Sequence, residues 1–283
     1  MSGIQKLAPE SYPALLREIP EPPATLYFRG TLPPPETKLL AVVGSRKMSH
    51  YGKDAVEHLI AGLAGYPVAI VSGLALGVDG AAHRAALSAG LPTIAVPGSG
   101  LSDDVLYPRA HVPLAHDILA AGGALMSEFE PDFRARPESF PQRNRLMAGM
   151  SHATLVIEAG LKSGTLITAR LASDYGRELL VVPHSIFAEG GAGGHIFMKL
   201  GGAPARSSAD ILEALGIEPA EEKRVLSLTE NEEKVLACLS EPLPRDELIR
   251  ALGMSARDAN VLLAAMELRG IIAESMGEIR MTI

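Results

Sequence analysis

The chain has one cysteine, Cys238, and no tryptophan in its 283 residues. A single thiol excludes an intramolecular disulfide and any cysteine-based metal cluster. Cys238 stands in Val235-Leu-Ala-Cys-Leu239, among apolar residues at helical spacing, so a packing role is expected rather than a reactive one. Aromatic residues make up only 4%, which leaves the core to Leu, Ala, Val and Ile. No apolar run approaches the ~20 residues that span a bilayer. The first residues, Met1-Ser-Gly-Ile-Gln-Lys6, lack the apolar centre of a signal peptide. A cytoplasmic protein without membrane association is the expectation. An excess of positive charge is also missing: the formal net charge is -7. Any cluster of arginines is therefore a local feature, not a by-product of general basicity.

What is present is an ordinary globular composition, 47% hydrophobic and 21% charged, with enough apolar surface for a full core. The length suggests about two domains. Charge is uneven along the chain. Residues 36–217 hold 15 Lys+Arg against 17 Asp+Glu, whereas residues 218–283 hold 8 against 13. Residues 1–35 read as a short N-terminal extension, with one short helical piece near Ser11–Arg17 and then extended chain. Pro20, Pro22, Pro23 and Pro33-Pro34-Pro35 forbid a long helix there.

From residue 36 to 217 short apolar runs alternate with helical patterns. Lys38–Val43, Val68–Val71, Thr93–Val96, Ala124–Met126, Thr154–Ile157 and Leu179–Val182 are continuous apolar segments, as strands covered on both faces require. Between them, helices are expected at His50–Ala64, Val78–Ala89, Pro113–Ala121, Arg145–Met150, Gly164–Tyr175 and Ala209–Leu215. Glu128–Pro141 is read as an irregular loop and Glu189–Gly194 as a flexible one. Strands alternating with helices imply right-handed crossovers and a parallel sheet. The expected fold is α/β: a Rossmann-like, doubly wound domain whose ligands lie beyond the carboxyl ends of the strands. Residues 218–224 read as a linker. Residues 225–283 read as a small winged-helix-like domain: a helix opened by a Thr229/Glu232 capping box, a helix from Pro244 to Leu252 stopped by Gly253, a helix capped by Ser255, and a hairpin about Met276-Gly277.

Two stretches carry chemistry. Gly44-Ser45-Arg46, followed by Lys47, lies between a strand and a helix, where bare amides and a guanidinium fork suit phosphate oxygens. A tight turn with a solvated arginine is an equal reading of the triplet alone. No G-x-G-x-x-G follows the first strand, so a dinucleotide site is disfavoured. Phe140-Pro-Gln-Arg-Asn-Arg145 is the most specific signal: Arg143 and Arg145 flank Asn144, and Phe140 offers a ring on which a base could stack. The plainer alternative makes Phe140 a core anchor and Asn144 a helix cap. Ser163-Gly164-Thr165 opens a helix whose free amides suit a second anion, or whose start is simply capped. Ser72–Asp79 reads as a structural turn. Glu158 could tie back to an arginine or to Ser163. No catalytic set, metal-ligand spacing or cofactor motif stands out.

Taken together, Val42-Val-Gly-Ser-Arg46 with Tyr51-Gly52, Val71-Ser-Gly-Leu-Ala75 with Gly77-Val-Asp79 and Ala81-Ala-His83, Thr93-Ile-Ala-Val96, Tyr107-Pro108, Ser127-Glu128, Phe140–Arg145 with Ala148-Gly149, Val156-Ile-Glu-Ala159, Ser163-Gly164 with Ile167-Thr-Ala169, and Gly176-Arg177 resemble the DNA-processing protein A family, also called DprA or Smf. The resemblance covers about residues 38–215. It implies a dimeric single-stranded-DNA-binding recombination mediator without established catalysis. Such a protein protects incoming DNA in natural transformation and loads the recombinase RecA, with single-strand-binding protein as a further expected partner. It also implies that Gly44, Ser45 and Arg46 cradle phosphate, that Phe140 faces bases, and that Arg143 and Arg145 line the groove. Three positions depart from the family pattern: His184 and His195 replace a glycine and an asparagine, and an asparagine is replaced near His111. About 35 residues precede the main domain, too few for the sterile-alpha-motif-like domain usual there.

Two competing classes fit less well. Phosphoribohydrolases share the fold type, but their Pro-Gly-Gly-x-Gly-Thr motif is here Pro97-Gly-Ser-Gly100 with no matching helix and glutamate. A transcription factor would need a basic recognition helix, whereas Ser255–Leu268 sets Arg257 beside Asp258 and Glu267. The acidic module is therefore expected to bind protein or pack on the main domain, not to anchor DNA.

Overall fold

The computed structural model of the chain describes every residue except 1–2, 162, 220–227, 240, 276 and 282–283. Most of the expected linker, and the hairpin residue Met276, lie outside the described residues. Two compact units follow one another, Met1–Ala220 and Glu221–Ile283.

The first unit opens with β1 (Gln5–Leu7), two short 3-10 turns at Pro9–Ser11 and Ala14–Arg17, and β2 (Leu26–Gly30). Strands and helices then alternate: β3 (Lys38–Val43), α1 (His50–Ala61), β4 (Val68–Ser72), α2 (Val78–Ser88), β5 (Thr93–Ala95), α3 (Val112–Ala120), β6 (Ala124–Ser127), α4 (Ser139–Met150), β7 (Ala153–Val156), α5 (Thr165–Asp174), β8 (Glu178–Val181), α6 (Ala192–Lys199), β9 (Ala203–Pro204) and α7 (Ser208–Ala214). The sheet order is β1-β2-β6-β5-β4-β3-β7-β8-β9. All pairings from β6 through β9 are parallel, with Ala41 opposite Val71 and Val43 opposite Val156. The β1–β2 and β2–β6 pairings are antiparallel.

The apolar runs explain the layers. Along β3, Leu40 and Val42 pack with Val56, Ile60 and Leu63 on one face, while Leu39 and Val43 pack with Leu146, Met147 and Met150 on the other. A strand with period-two side chains that are apolar at every position must be covered on both sides. The chain leaves β3 towards β4, β5 and β6, then crosses back to β7 and β8 on its other flank. The carboxyl ends of β3 and β7 thus form the switch point, where an open α/β sheet splays its loops apart and leaves a crevice.

Three segments differ from expectation. The stretch read as a short N-terminal extension is built into the first unit: Leu16 and Leu26 are fully buried in the core, and β2 pairs with β6 to extend the sheet. Its flanking prolines interrupt the pattern by which a strand is recognised. The helix expected from Arg145 begins at Ser139. Pro141 lies in its first turn, where the missing N–H has no helical partner to lose. Glu189–Gly194 forms a 3-10 turn and the start of α6. Its glycines serve close packing: a Cβ on Gly193 would lie 2.7 Å from the Ala159 carbonyl oxygen, and one on Gly194 would lie 2.9 Å from Val181.

The second unit contains α8 (Glu230–Cys238), β10 (Leu243–Pro244), α9 (Arg245–Leu252), α10 (Ala256–Leu268), β11 (Ile272–Ser275) and β12 (Glu278–Met281), with sheet order β10-β12-β11. The Thr229/Glu232 capping box is formed, Gly253 is left-handed at φ 63°, and Ser255 caps α10. Val235, Leu248, Leu263, Met266 and Ile279 make the core, with Cys238 half-buried against it.

Candidate functional site

A cavity of 740 Å³ opens at the switch point. One wall is the turn after β3, with Gly44, Ser45, Arg46 and Lys47. The opposite wall is the start of α5, with Ser163, Gly164 and Thr165. The first turns of α4 supply Phe140, Arg143 and Asn144. Ten of the sequence-derived candidates are thus brought together, and Arg145 is not among them.

The Gly44–Lys47 turn is held from beneath. Ser45 Oγ accepts from Lys47 N at 3.0 Å, and Ser45 O accepts from Val78 N at 3.1 Å. A Cβ on Gly44 would lie 2.6 Å from the Val78 side chain. Gly77 lies directly below at φ 77°; a Cβ there would come within 2.2 Å of Ser45 O. The loop Ser72–Asp79, read as a structural turn, is therefore the platform of this site. Glu158, buried at the end of β7, accepts from Ser49 N at 3.0 Å and from Ser49 Oγ, and Ser49 in turn caps α1. It ties the end of β7 to the start of α1, not to an arginine or Ser163. A Cβ on Gly52 would lie 2.7 Å from the Glu158 carboxyl carbon. Neighbouring contacts seal the departures from the family pattern: His184 Nε2 lies 2.7 Å from Ile157 O, Tyr51 packs edge-on against its ring, and His195 Nε2 lies 3.1 Å from His184 O.

Phe140 is half-exposed. The Arg46 guanidinium lies over its ring, 4.9 Å from the centroid, and Tyr107 is tilted against it at 5.6 Å. Gly98 permits this position, because a Cβ there would be 2.6 Å from the ring. Ser139 fixes the start of the helix by donating to Gly98 O at 2.5 Å.

The two flanking arginines do not share a groove. On a helix, residues two apart point to different faces. Arg145 pairs with Glu128 and donates to Glu21 O at 2.6 Å, away from the cavity. Arg143 does reach the cavity, but it is 4% exposed, and its NH1 donates to Gly73 O at 2.6 Å and to Val96 O. Burial pulls its pKa down to about 10, still charged at neutral pH, with Asp79 opposing the shift. Asp79 Oδ2 accepts from Gly73 N at 3.1 Å and Ala75 N at 3.3 Å, and its own burial raises its pKa above the usual carboxylate value. The Arg143 guanidinium is thus a structural clamp, leaving Arg46 and Lys47 as the exposed cations of the described cavity lining. Asn144 accepts from Arg143 Nε at 3.2 Å and is no helix cap.

His83 is fully buried, 2.8 Å from Thr93 Oγ1, with burial lowering its pKa to about 3. It is a neutral packing residue. Among the described residues, no group of three or more His, Cys, Asp or Glu is placed to hold a metal.

A glycine turn and a helix start that line one crevice at the switch point of a doubly wound sheet place the chain in the class of α/β proteins whose ligands sit beyond the carboxyl ends of the strands. Comparison with known proteins narrows the class. The family model of DNA recombination-mediator protein A matches residues 4–216, and that of the DprA winged helix domain matches residues 202–278; the chain belongs to this family. It is 38% identical over 211 residues to the DNA processing protein DprA of Bacillus subtilis, covering 74% of this chain and 70% of that one. It is 37% identical to Protein Smf of Escherichia coli over 73% of this chain, a match that spans 54% of the relative. The solved structure of DprA from Streptococcus pneumoniae superposes with a TM-score of 0.69 at 38% identity, covering 74% of each chain. A DNA processing protein A from Helicobacter pylori, solved for its single-stranded DNA binding mode, superposes at 0.65 with 29% identity, covering 76% of this chain and 98% of that one.

Proposed function

We propose that this chain binds single-stranded DNA in the switch-point cavity and acts as a recombination mediator that protects incoming DNA and loads RecA. The observation that carries the reading is the cavity itself: two sets of backbone amides, exposed Arg46 and Lys47, and an aromatic ring, Phe140, in one crevice. In this reading the amides of Gly44, Ser45 and Gly164 and the Arg46 and Lys47 side chains receive phosphates, while Phe140 and Asn144 meet bases; the amides of Ser163 and Thr165 are already engaged by Gly160 O and Ser163 Oγ and shape the α5 wall. The binding of single-stranded DNA by the Helicobacter pylori relative supports it. In this reading the role is binding: Asp79, the one carboxylate among the described cavity-lining residues, has an oxygen held by two backbone amides and serves to fix the β4–α2 loop. Titration with oligothymidine by mobility shift, set against an AMP-turnover assay, tests the choice. Nucleotide release without oligothymidine binding would favour the phosphoribohydrolase alternative.

Two variants separate charge from stacking. Arg46→Ala is expected to weaken binding and to flatten the plot of log affinity against log salt by about 0.7, the share of one single-strand phosphate contact. Phe140→Ala is expected to weaken binding by about 1–3 kcal/mol with little change in slope. An unaltered affinity for Phe140→Ala would remove that ring from the account.

The partners in this reading are RecA, a second copy of the chain and single-strand-binding protein. Sedimentation that finds only monomer at micromolar concentration would remove self-association, and failure to accelerate RecA filament growth on coated DNA would remove loading. The winged unit serves as a protein-facing module. Its Arg245 is engaged by Glu267 at 3.1 Å and Glu274 at 2.6 Å, and α10 exposes Val261 and Leu268 instead of a basic face. Deleting 221–283 is expected to leave oligothymidine affinity within about twofold of the full chain, well short of the loss expected for a removed base–aromatic stack. A loss equal to that of Arg46→Ala would show that the unit anchors DNA.

A further inference from the structure

One face of the Phe140 ring is covered by the Arg46 guanidinium, and the ring fits against Gly98 because that residue has no Cβ. Beside the ring, Tyr107 is 45% exposed and Leu76 48% exposed, in a chain with few aromatics to spare. A shallow cleft runs between Arg46, Leu76, Tyr107, Pro108 and Phe140, so it shares Arg46 and Phe140 with the main cavity. A strand held at Arg46 can continue from the main cavity into this cleft, because Arg46 lines both.

We propose that Tyr107, with Leu76, forms a second base-binding subsite that adjoins the first and selects single-stranded over duplex DNA. The inference rests on the reading of the cavity as a single-strand site. Selection follows from ring geometry. The Tyr107 and Phe140 planes meet at 54° with centroids 5.6 Å apart. Successive bases resting on the two rings cannot stay parallel, whereas duplex stacking holds neighbours parallel. A flexible single strand turns between the rings at small cost; a duplex must unstack, which costs a few kcal/mol per step.

The absence of tryptophan provides the test. Tyr107→Trp places the only indole of the chain at the subsite. Oligothymidine is expected to quench its emission saturably, over the same concentrations that shift the protein on a gel. Tyr107→Ala is expected to lower oligothymidine affinity at least about fivefold, with the salt dependence unchanged, and to narrow the preference over duplex of the same length. Tyr107→Phe is expected to restore both. The proposal is overturned if Tyr107→Ala binds as the unaltered chain does, or if the emission of the introduced indole is indifferent to DNA while the gel shift persists. If the unaltered chain binds no oligothymidine at all, the functional reading itself fails, and the subsite with it.

Discussion

Replacing Arg143 by methionine is expected to destabilise the first unit by about 3–5 kcal/mol, read by chemical denaturation, the range for breaking a buried charge pair from one side. Against the 5–15 kcal/mol that hold a typical domain together, this is a large share. Arg143 and Asp79 act on opposite sides of one residue: Gly73 N donates to Asp79, and Gly73 O accepts from Arg143. Methionine would leave the carbonyls of Gly73 and Val96 without this donor and Asp79 without the positive charge that acts on it most strongly. Loss of DNA binding in this variant would follow from a disordered β4–α2 loop, not from a lost phosphate contact. Asp79→Asn in the same chain is expected to return part of the stability, because the amide keeps an acceptor for Gly73 N and Ala75 N and carries no charge.

The pH dependence has a definite sign. The pKa of Asp79 is raised by burial, so folding favours its protonated form, and the stability it contributes is lost as pH rises through its folded pKa. Removing Arg143 takes away the largest influence that lowers this pKa, which must rise further. The deficit of Arg143→Met is therefore expected to shrink as the pH is lowered from neutrality towards the carboxylate range. A deficit that stays constant over that range would show that the lost hydrogen bonds, not the stranded charge, dominate.

Most of the sheet was legible because its strands are apolar at every position, and the order of short strands and longer helices leaves few topologies. What escaped detection did so for local physical reasons. The start of α4 was hidden by Pro141, which reads as a breaker although the first helical turn tolerates it. Once Phe140–Arg145 is helical, Arg143 and Arg145 must diverge, and the paired-arginine groove dissolves. Burial of a charge is likewise invisible without three dimensions: Arg143 beside Asn144 looks like a surface fork until Gly73 and Val96 close around it. Asp79 and Glu158 did carry a signal, each being a lone acid amid apolar or glycine-rich sequence, but the Ser49 that meets Glu158 lies beyond another strand, and the Arg143 whose charge acts on Asp79 lies on α4. Tyr107 gave only an exposed aromatic beside a proline, and its meaning depends on the Phe140 ring that it touches.

Gly77→Ala is expected to lower oligothymidine affinity about tenfold to a hundredfold per folded molecule, the loss of one charge-assisted phosphate contact, although residue 77 offers no side chain to DNA. Gly77 adopts φ 77° and ψ -127°, a combination closed to L side chains except at a cost of about 1–3 kcal/mol. Strain alone would affect stability and not binding. The direction of the added methyl group makes the difference, since it would approach Ser45 O to 2.2 Å and the Arg46 carbonyl carbon to 2.7 Å. Backbone atoms cannot swing aside as a flexible side chain can. The turn that presents Ser45 and Arg46 must lift, breaking the bond from Val78 N to Ser45 O and shifting the guanidinium off Phe140. Gly65→Ala isolates this effect. Gly65 is also left-handed, at φ 83°, but a Cβ there meets nothing within 4 Å. Both variants are expected to lose stability, and only Gly77→Ala to lose affinity after correction for the folded fraction. Equal affinities in the two would mean that the turn tolerates displacement and that its amides do not hold phosphate.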